Sequence, residues 1–417
     1  PLLVILNDNE MSISKNVGGI ASSIDVQSTF EECWFDGDIK ITNRDCGGII
    51  DEVLGARVTV KHCLFSGYIY SSYDVGGTRT GGIFGRTDKA ATIVLSDSLS
   101  SGRIECDKKV YTGATLGASY NGVQFTIEDT YASTETYGAA IGESGKKGTF
   151  VGTPLLMSAS ELTGVKAYQW TTLNFDSYWA VVEDGAPILK CFAETVPSLE
   201  GVKKVYDTSW YIPGGFDFTL MTREQLYGLF IVSAKTDYKD CKVKLGADIV
   251  VNEGNAEEWA KNAPDKKWFP ITGFEGTFDG QGHSISGLYG KATNSAMGLF
   301  AKTKIKSVIK NLSLLNSYFE TAGNIGVGSI AASGGGTFSR IYSDAIINHK
   351  GDNAAGIVSH MKFQTTVSEC WYDGKITMTG CSGGGIVDQV DVVNIELEHC
   401  LFTGEMYSHY NNGGSRI

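Results

Sequence analysis

Eight stretches of the 417-residue chain carry the same pattern at nearly the same interval. They are centred on Cys33, Cys63, Ser98, Thr130, Leu312, Ile341, Cys370 and Cys400, spaced 29 to 35 residues apart within each half. Three positions upstream stands Phe30, Val60, Leu95, Ile127, Ile309, Phe338, Val367 or Leu397, apolar in every copy. The two positions between are polar or charged throughout, as in Glu31-Glu32, Lys61-His62 and Glu398-His399. Glycine recurs four positions downstream as Gly37, Gly67, Gly102, Gly374 and Gly404, followed two residues later by Ile39, Ile69, Ile104, Ile376 or Met406. A second strand falls between these segments, beginning Gly19-Ile20, Gly48-Ile49, Gly82-Ile83, Gly298-Leu299, Gly356-Ile357 or Gly385-Ile386. A period of about 30 residues with strands, glycine corners and no helix predicts a parallel β-solenoid, in which each coil pairs with the coil above. Like residues then stack about 4.8 Å apart, and Cys33 with Cys63, or Cys370 with Cys400, forms an internal ladder of small thiols. The competing fold is an antiparallel sandwich, which also has short strands and glycine turns. It does not require the same residue type at the same place in consecutive strands.

A longer period encloses the short one. Residues 1–80 return, slightly altered, at 338–417: Cys33-Trp34-Phe35-Asp36-Gly37 answers to Cys370-Trp371-Tyr372-Asp373-Gly374, and Gly76-Gly77-Thr78-Arg79 to Gly413-Gly414-Ser415-Arg416. The expected architecture is all-β solenoid units in tandem, joined by a short α/β capping and linking segment, in a protein longer than this chain. Residues 1–150 read as the C-terminal part of a first unit and 151–200 as a closing strand segment. Residues 201–262 read as a capping helix and opening strand, and 263–417 as the N-terminal part of a second unit. Thr222-Arg223-Glu224-Gln225 is a capping-box pattern, and Leu226, Leu229, Phe230 and Ser233 follow at helical spacing, which predicts an amphipathic helix over 223–234. Ser158-Ala159-Ser160-Glu161 offers a second helix start.

Composition narrows the function classes. With 52 glycines against 7 prolines the chain turns often without becoming a linker. A net charge of -12 argues against nucleic acid as the partner, since phosphates would be repelled over most of the surface. No run of 18 apolar residues predicts membrane insertion in this segment. None of the nine cysteines sits in a C-x-x-C pair, so most read as buried free thiols.

Residues 268–290, from Trp268-Phe269-Pro270-Ile271 through Phe278-Asp279-Gly280-Gln281-Gly282-His283-Ser284-Ile285-Ser286-Gly287-Leu288, resemble the opening coil of bacterial GLUG-motif surface proteins. Gly298-Leu299-Phe300-Ala301 and Gly82-Ile83-Phe84-Gly85 look like the motif that names the group, the first ending in alanine. Thr222–Tyr227 with Val243–Ile249 is similar to the helix and strand that precede such a solenoid. Tyr178–Val181 with Gly185–Lys190 looks like the strand pair that ends one. The resemblance implies right-handed parallel β-helices in series within a large, adhesin-like protein, secreted or on the bacterial surface. Its partners would be host glycans, surface proteins or neighbouring units. The family assigns no catalytic residue to these segments, so neither an enzyme nor a cofactor is expected.

Motifs that carry chemistry elsewhere fall short here. Ala140–Lys147 approaches a phosphate-binding loop, but alanine replaces the first glycine and Lys147 the magnesium-binding hydroxyl. Gly142-Glu143-Ser144-Gly145 lacks the spacing of a nucleophile elbow. The six histidines never form H-E-x-x-H. His62 and His399 share one outward repeat position and are expected to face solvent, and His283 reads as a structural residue of its coil. Sugar-cleaving β-helices cluster carboxylates on adjacent coils. Asp36 and Asp373, or Asp51 and Asp388, recur without building such a cluster, so they are expected to cap turns. Calcium at Asp36, Asp38 and Asp45 lacks the spacing of a calcium loop. The repeated Trp34 and Trp371 are the possible ligand-facing residues: outward, the indole can stack on a sugar ring, whereas inward it fills a corner of the coil, the placement favoured here.

Overall fold

The structure is a computed structural model that describes residues 17–41, 45–72, 79–106, 111–137, 139–142, 147–293, 295–323, 325–391 and 395–409. The repeat segments Gly76–Thr78 and Gly413–Arg416, and Glu143–Lys146 of the loop before Lys147, lie outside the described residues. The chain is all-β, with 49% strand and 6% helix, and forms about 12 parallel β-solenoid turns. These are shared between two compact units, Pro1–Val205 and Tyr206–Ile417.

In the first unit each coil is a chain of short strands. The second coil, for example, runs through Asp45–Gly47, Ile50–Leu54, Arg57–Lys61, Leu64–Phe65 and Tyr68–Ser71. Each strand pairs in parallel with its counterparts one coil before and one coil after. The predicted apolar column is in register: Phe30 lies opposite Val60, Val60 opposite Leu95, and Leu95 opposite Ile127. The stack runs past residue 150, because Thr149–Val151 and Leu155–Met157 still pair with the coil before them. In the second unit the same column spans seven coils, through Phe218, Val243, Phe278, Ile309, Phe338, Val367 and Leu397. Among the described residues the pairings between coils are parallel. The antiparallel pair is Trp179–Val182 with Gly185–Leu189, so the sandwich is excluded.

The polar dipeptide beside the apolar column is a corner. Its second residue adopts the left-handed conformation in all eight copies, with φ between 43° and 54° at Glu32, His62, Asp97, Asp129, Asn311, Arg340, Glu369 and His399. None of these is glycine. The residue that follows is the Cys33 column, and its side chain donates to the carbonyl two residues back. Ser98 Oγ bonds Ser96 O at 2.8 Å, Thr130 Oγ1 bonds Glu128 O at 2.9 Å, and the Cys63 and Cys370 thiols bond Lys61 O and Ser368 O at 3.3 Å. Cysteine, serine and threonine share the column because each is small and carries a donor. Leu312 and Ile341 fill it with hydrocarbon instead. All nine cysteines are free, and burial pushes the Cys370 thiol up to about 12, which leaves it inert.

The downstream glycines form the next corner, and close approach explains them. A Cβ on Gly67 would lie 2.2 Å from Gly37 O, and one on Gly404 2.1 Å from Gly374 O. Aromatic rings stack between coils: Phe35 on Phe65 at 6.3 Å and Tyr372 on Phe402 at 6.1 Å, each pair with nearly parallel planes.

Two helices interrupt the β-structure. Helix α1, Val165–Trp170, starts after Gly164 rather than at Ser158, whose segment forms turns. Helix α2, Arg223–Ser233, begins as predicted: Thr222 Oγ1 accepts from Gln225 N at 3.2 Å, and Gln225 Oε1 accepts from Met221 N at 2.7 Å. It is not amphipathic, since every residue from Leu226 to Ser233 is buried. Residues 207–210 cover its outer side so closely that a Cβ on Gly228 would meet Asp207 O at 2.0 Å.

Two measurements test this packing. Thiol titration in denaturant should find nine reactive cysteines. In urea denaturation Phe338→Ala should lose about 3–5 kcal/mol, while Cys63→Ser, which supplies the donor already used at Ser98, should lose less than about 1 kcal/mol. Equal losses would contradict the assignment of one column to the core and the other to the corner.

Candidate functional site

Neighbouring residues of a strand point to opposite faces. Because Phe35 and Tyr372 occupy the interior, Trp34 and Trp371 stand outside, contrary to the inward placement favoured by the sequence. Each indole begins a relay between coils. Trp34 Nε1 donates to Ser66 Oγ at 2.6 Å, and that hydroxyl donates to Asp36 Oδ1 at 2.6 Å. In the second unit Trp371 Nε1 donates to Thr403 Oγ1 at 2.6 Å, which donates to Asp373 Oδ1 at 2.6 Å. Asp36 and Asp373 therefore bridge adjacent coils instead of capping turns.

The two indoles differ in what covers them. Phe192 lies over Trp34 with ring centroids 5.5 Å apart. Trp371 is 41% exposed, meets the edge of Tyr342 at 4.9 Å, and borders an open groove of about 600 Å3. Asp279, Gln281, Asn311, Arg340 and Glu369 line the rest of that groove. Arg340 Nε donates to Asn311 Oδ1 at 2.6 Å and its Nη1 lies 3.4 Å from Glu369 Oε2. An aromatic wall beside mixed donors and acceptors is suited to a polar ring with one apolar face, such as a sugar. A second open groove, of about 550 Å3, lies in the first unit between Asp36, Asp38, Ser66, Tyr68, Arg103 and Glu135.

The histidine pair also divides. His399 is exposed, as expected. His62 is not: its ring stacks on Tyr178 at 3.5 Å, and Nδ1 lies 2.7 Å from Asp97 Oδ2. The Tyr178 contact belongs to a strap, residues 172–192, that descends the outer corner one coil at a time. Thr172 Oγ1 donates to Asp129 Oδ1 at 2.5 Å, Asn174 N donates to Asp97 Oδ1 at 2.9 Å, Tyr178 covers His62, and Phe192 covers Trp34. The left-handed corner residues are its receptors. His283 pairs at 3.4 Å with Asp248 of the coil before it, consistent with a structural residue.

Sequence reading missed a charged knot. Register places Asp45 opposite Arg79 and Glu52 opposite Arg86 on two neighbouring sheets of the first unit. Arg79 Nη1 lies 3.0 Å from Asp45 Oδ1, Arg86 Nη1 lies 3.0 Å from Glu52 Oε1, and Tyr120 accepts from Arg79 Nε at 2.6 Å. Asp45 is thus held by guanidinium and is unavailable to join Asp36 and Asp38 around calcium. Among the described residues no group of three or more His, Cys, Asp or Glu is placed to hold a metal. Beside the knot Asp51 is wholly buried, with neither carboxylate oxygen hydrogen-bonded. It fills the space left by Gly85, whose Cβ would lie 2.5 Å from Asp51 Oδ1. Burial first, then the Asp45 and Glu52 carboxylates, push its pKa up to about 9, against the pull of Arg86 and Arg79. The signal was available: Asp45 and Arg79 are 34 residues apart, one coil.

A family model described as 1-deoxy-D-xylulose-5-phosphate synthase matches residues 1–83 of the 417. Within that span, the described residues form the first two coils and the start of the third. No curated protein and no solved structure matches the chain.

The buried carboxyl has a pH signature. Between the ordinary value of 3.8 and about 9, the folded chain keeps a proton on Asp51 that the unfolded chain has released. This group therefore lowers stability as pH rises through that window, by up to about 1.4 kcal/mol per pH unit. Asp51→Asn should flatten the fall in urea midpoint between neutral and alkaline pH and exceed the parent in stability at its upper end. An unchanged slope would show that Asp51 is ionised in the fold.

Proposed function

We propose that the chain is a non-enzymatic segment of a large bacterial surface or secreted protein, a stiff stalk or adhesin scaffold of right-handed β-helix units in tandem. The strap region would close one unit and helix α2 would open the next. The observation that carries this reading is the continuity of the apolar column, which stays in register through seven coils of one unit. A long, in-register stack resists bending, because flexing it must break backbone bonds between coils and unstack the interior together. The return of residues 1–80 at 338–417 and the resemblance to GLUG-motif proteins support tandem units and an envelope location.

The enzyme alternative would need a reachable pair of acids. In the charged knot of the first unit Asp45 and Asp51 are buried and Asp45 is neutralised by Arg79, and on the outer corner Asp97 and Asp129 are taken up by Asn174 and Thr172 of the strap. The binding alternative rests on the open indole of Trp371, since Phe192 occupies its counterpart. No helix among the described residues is long and apolar enough to cross a membrane.

Antibodies raised against this chain should label intact source cells or their culture medium. Labelling that appears only after permeabilisation would overturn the surface reading. Incubation with a panel of polysaccharides should release no shortened product, and any turnover would refute the scaffold assignment.

A further inference from the structure

The 337-residue repeat allows the two units to be compared side chain by side chain. Glu32, Trp34 and His62 of the first unit correspond to Glu369, Trp371 and His399 of the second, identical at all three positions. In the first unit this row is covered. Tyr178 stacks on His62, Phe192 lies over Trp34, and burial first and the Glu32 carboxylate second push the Cys191 thiol up. In the second unit Glu369, Trp371 and His399 are exposed. Exposure of Glu369 and Trp371 does not come from the end of the stack. Strand Trp371–Tyr372 pairs with the coil below through Tyr342 and with the coil above through Leu401, and Glu369 N donates to Glu398 O at 2.9 Å.

We propose that the outer corner at Glu369, Trp371 and His399 is a docking face for a polypeptide strap of the Thr172–Phe192 type, which lays a tyrosine on His399 and a phenylalanine on Trp371. The occupant is set by chemistry present in the same chain. An indole whose N–H is already spent on Thr403 offers only its face and edge, and an imidazole at a left-handed corner offers its plane. Two aromatic side chains spaced as in Tyr178 and Phe192 satisfy both at once, with ring contacts that are favourable beyond the area they bury. This inference does not depend on where the protein is located, so its failure would leave the surface reading intact.

The test is a synthetic peptide of residues 171–193 added to the intact 417-residue chain, with binding read by fluorescence anisotropy of a label on the peptide. Saturable binding is expected, weakened about tenfold or more by Trp371→Ala or His399→Ala in the chain and by Tyr178→Ala or Phe192→Ala in the peptide. The peptide variants need no refolding of the chain, and circular dichroism confirms the fold of the chain variants. Trp34→Ala should leave the affinity unchanged. The proposal is overturned by absence of binding at millimolar peptide, or by binding indifferent to Trp371 and His399. It is equally overturned by an oligosaccharide that binds at Trp371 and excludes the peptide.

Discussion

Eight of the coils turn at one strained residue, and much of their outer surface follows from that turn. Eight non-glycine residues sit at φ near 50°, a conformation that costs an L-residue about 1–2 kcal/mol. The corner repays part of this in two hydrogen bonds. The N–H of the strained residue continues the ladder, as in His62 N to Ser96 O at 3.2 Å and Glu369 N to Glu398 O at 2.9 Å. The hydroxyl or thiol that follows then closes onto the carbonyl two residues back. At about 0.5–1.5 kcal/mol each, these bonds bring the corner close to balance, so net stability comes from the stacked apolar columns. Glycine would relieve the strain. It would also delete the side chains of Glu32, His62, Asp97 and Asp129, which are the residues the strap uses. The strained turn keeps side chains on the outside, and in the first unit the strap uses them.

Parallel in-register stacking explains how much of this fold can be read from the sequence. It converts a contact between coils into a fixed sequence interval, so the columns of Phe30, Cys33 and Ile39 appear as a period and then as register. What repeats in space repeats along the chain. The left-handed corner was not legible, because its occupants are acids, histidine, asparagine and arginine, with no shared chemistry and none of the glycine that usually marks positive φ. The outward turn of Trp34 was ambiguous for a different reason. Two adjacent aromatic residues, Trp34-Phe35, compete for one interior place, and only packing shows that Phe35 takes it.

The strap lay beyond pattern reading altogether. Its contacts join residues 43, 77 and 116 positions apart, as Asp129 with Thr172, Asp97 with Asn174 and His62 with Tyr178. None of these separations belongs to the coil period. Such a segment descends against the direction in which the coils rise, touching successive coils in turn, and it converts an outer row of the first unit into a partly dry interface. His62 shows the consequence. A histidine in an outward column reads as solvated, yet here its ring lies between Tyr178 and Asp97.

The buried acid shows how one position tolerates two environments. Asp51 and Asp388 are equivalent by the long repeat, and burial raises both carboxyls above their usual range. Around Asp51 the neighbour is Asp45, whose charge adds to the cost of ionising it. In the second unit Ser382 stands where Asp45 would be, and its hydroxyl donates to Asp388 Oδ1 at 2.8 Å. A like charge has been exchanged for a donor. The first unit holds Asp45 in place with Arg79, whose guanidinium then extends to Tyr120 in the next coil. The second unit meets one oxygen of the acid with a hydroxyl and leaves Oδ2 buried without a hydrogen bond. The repeated feature is thus an acid at the irregular step between two neighbouring sheets, whereas the network around it has diverged with the residues that register brings beside it.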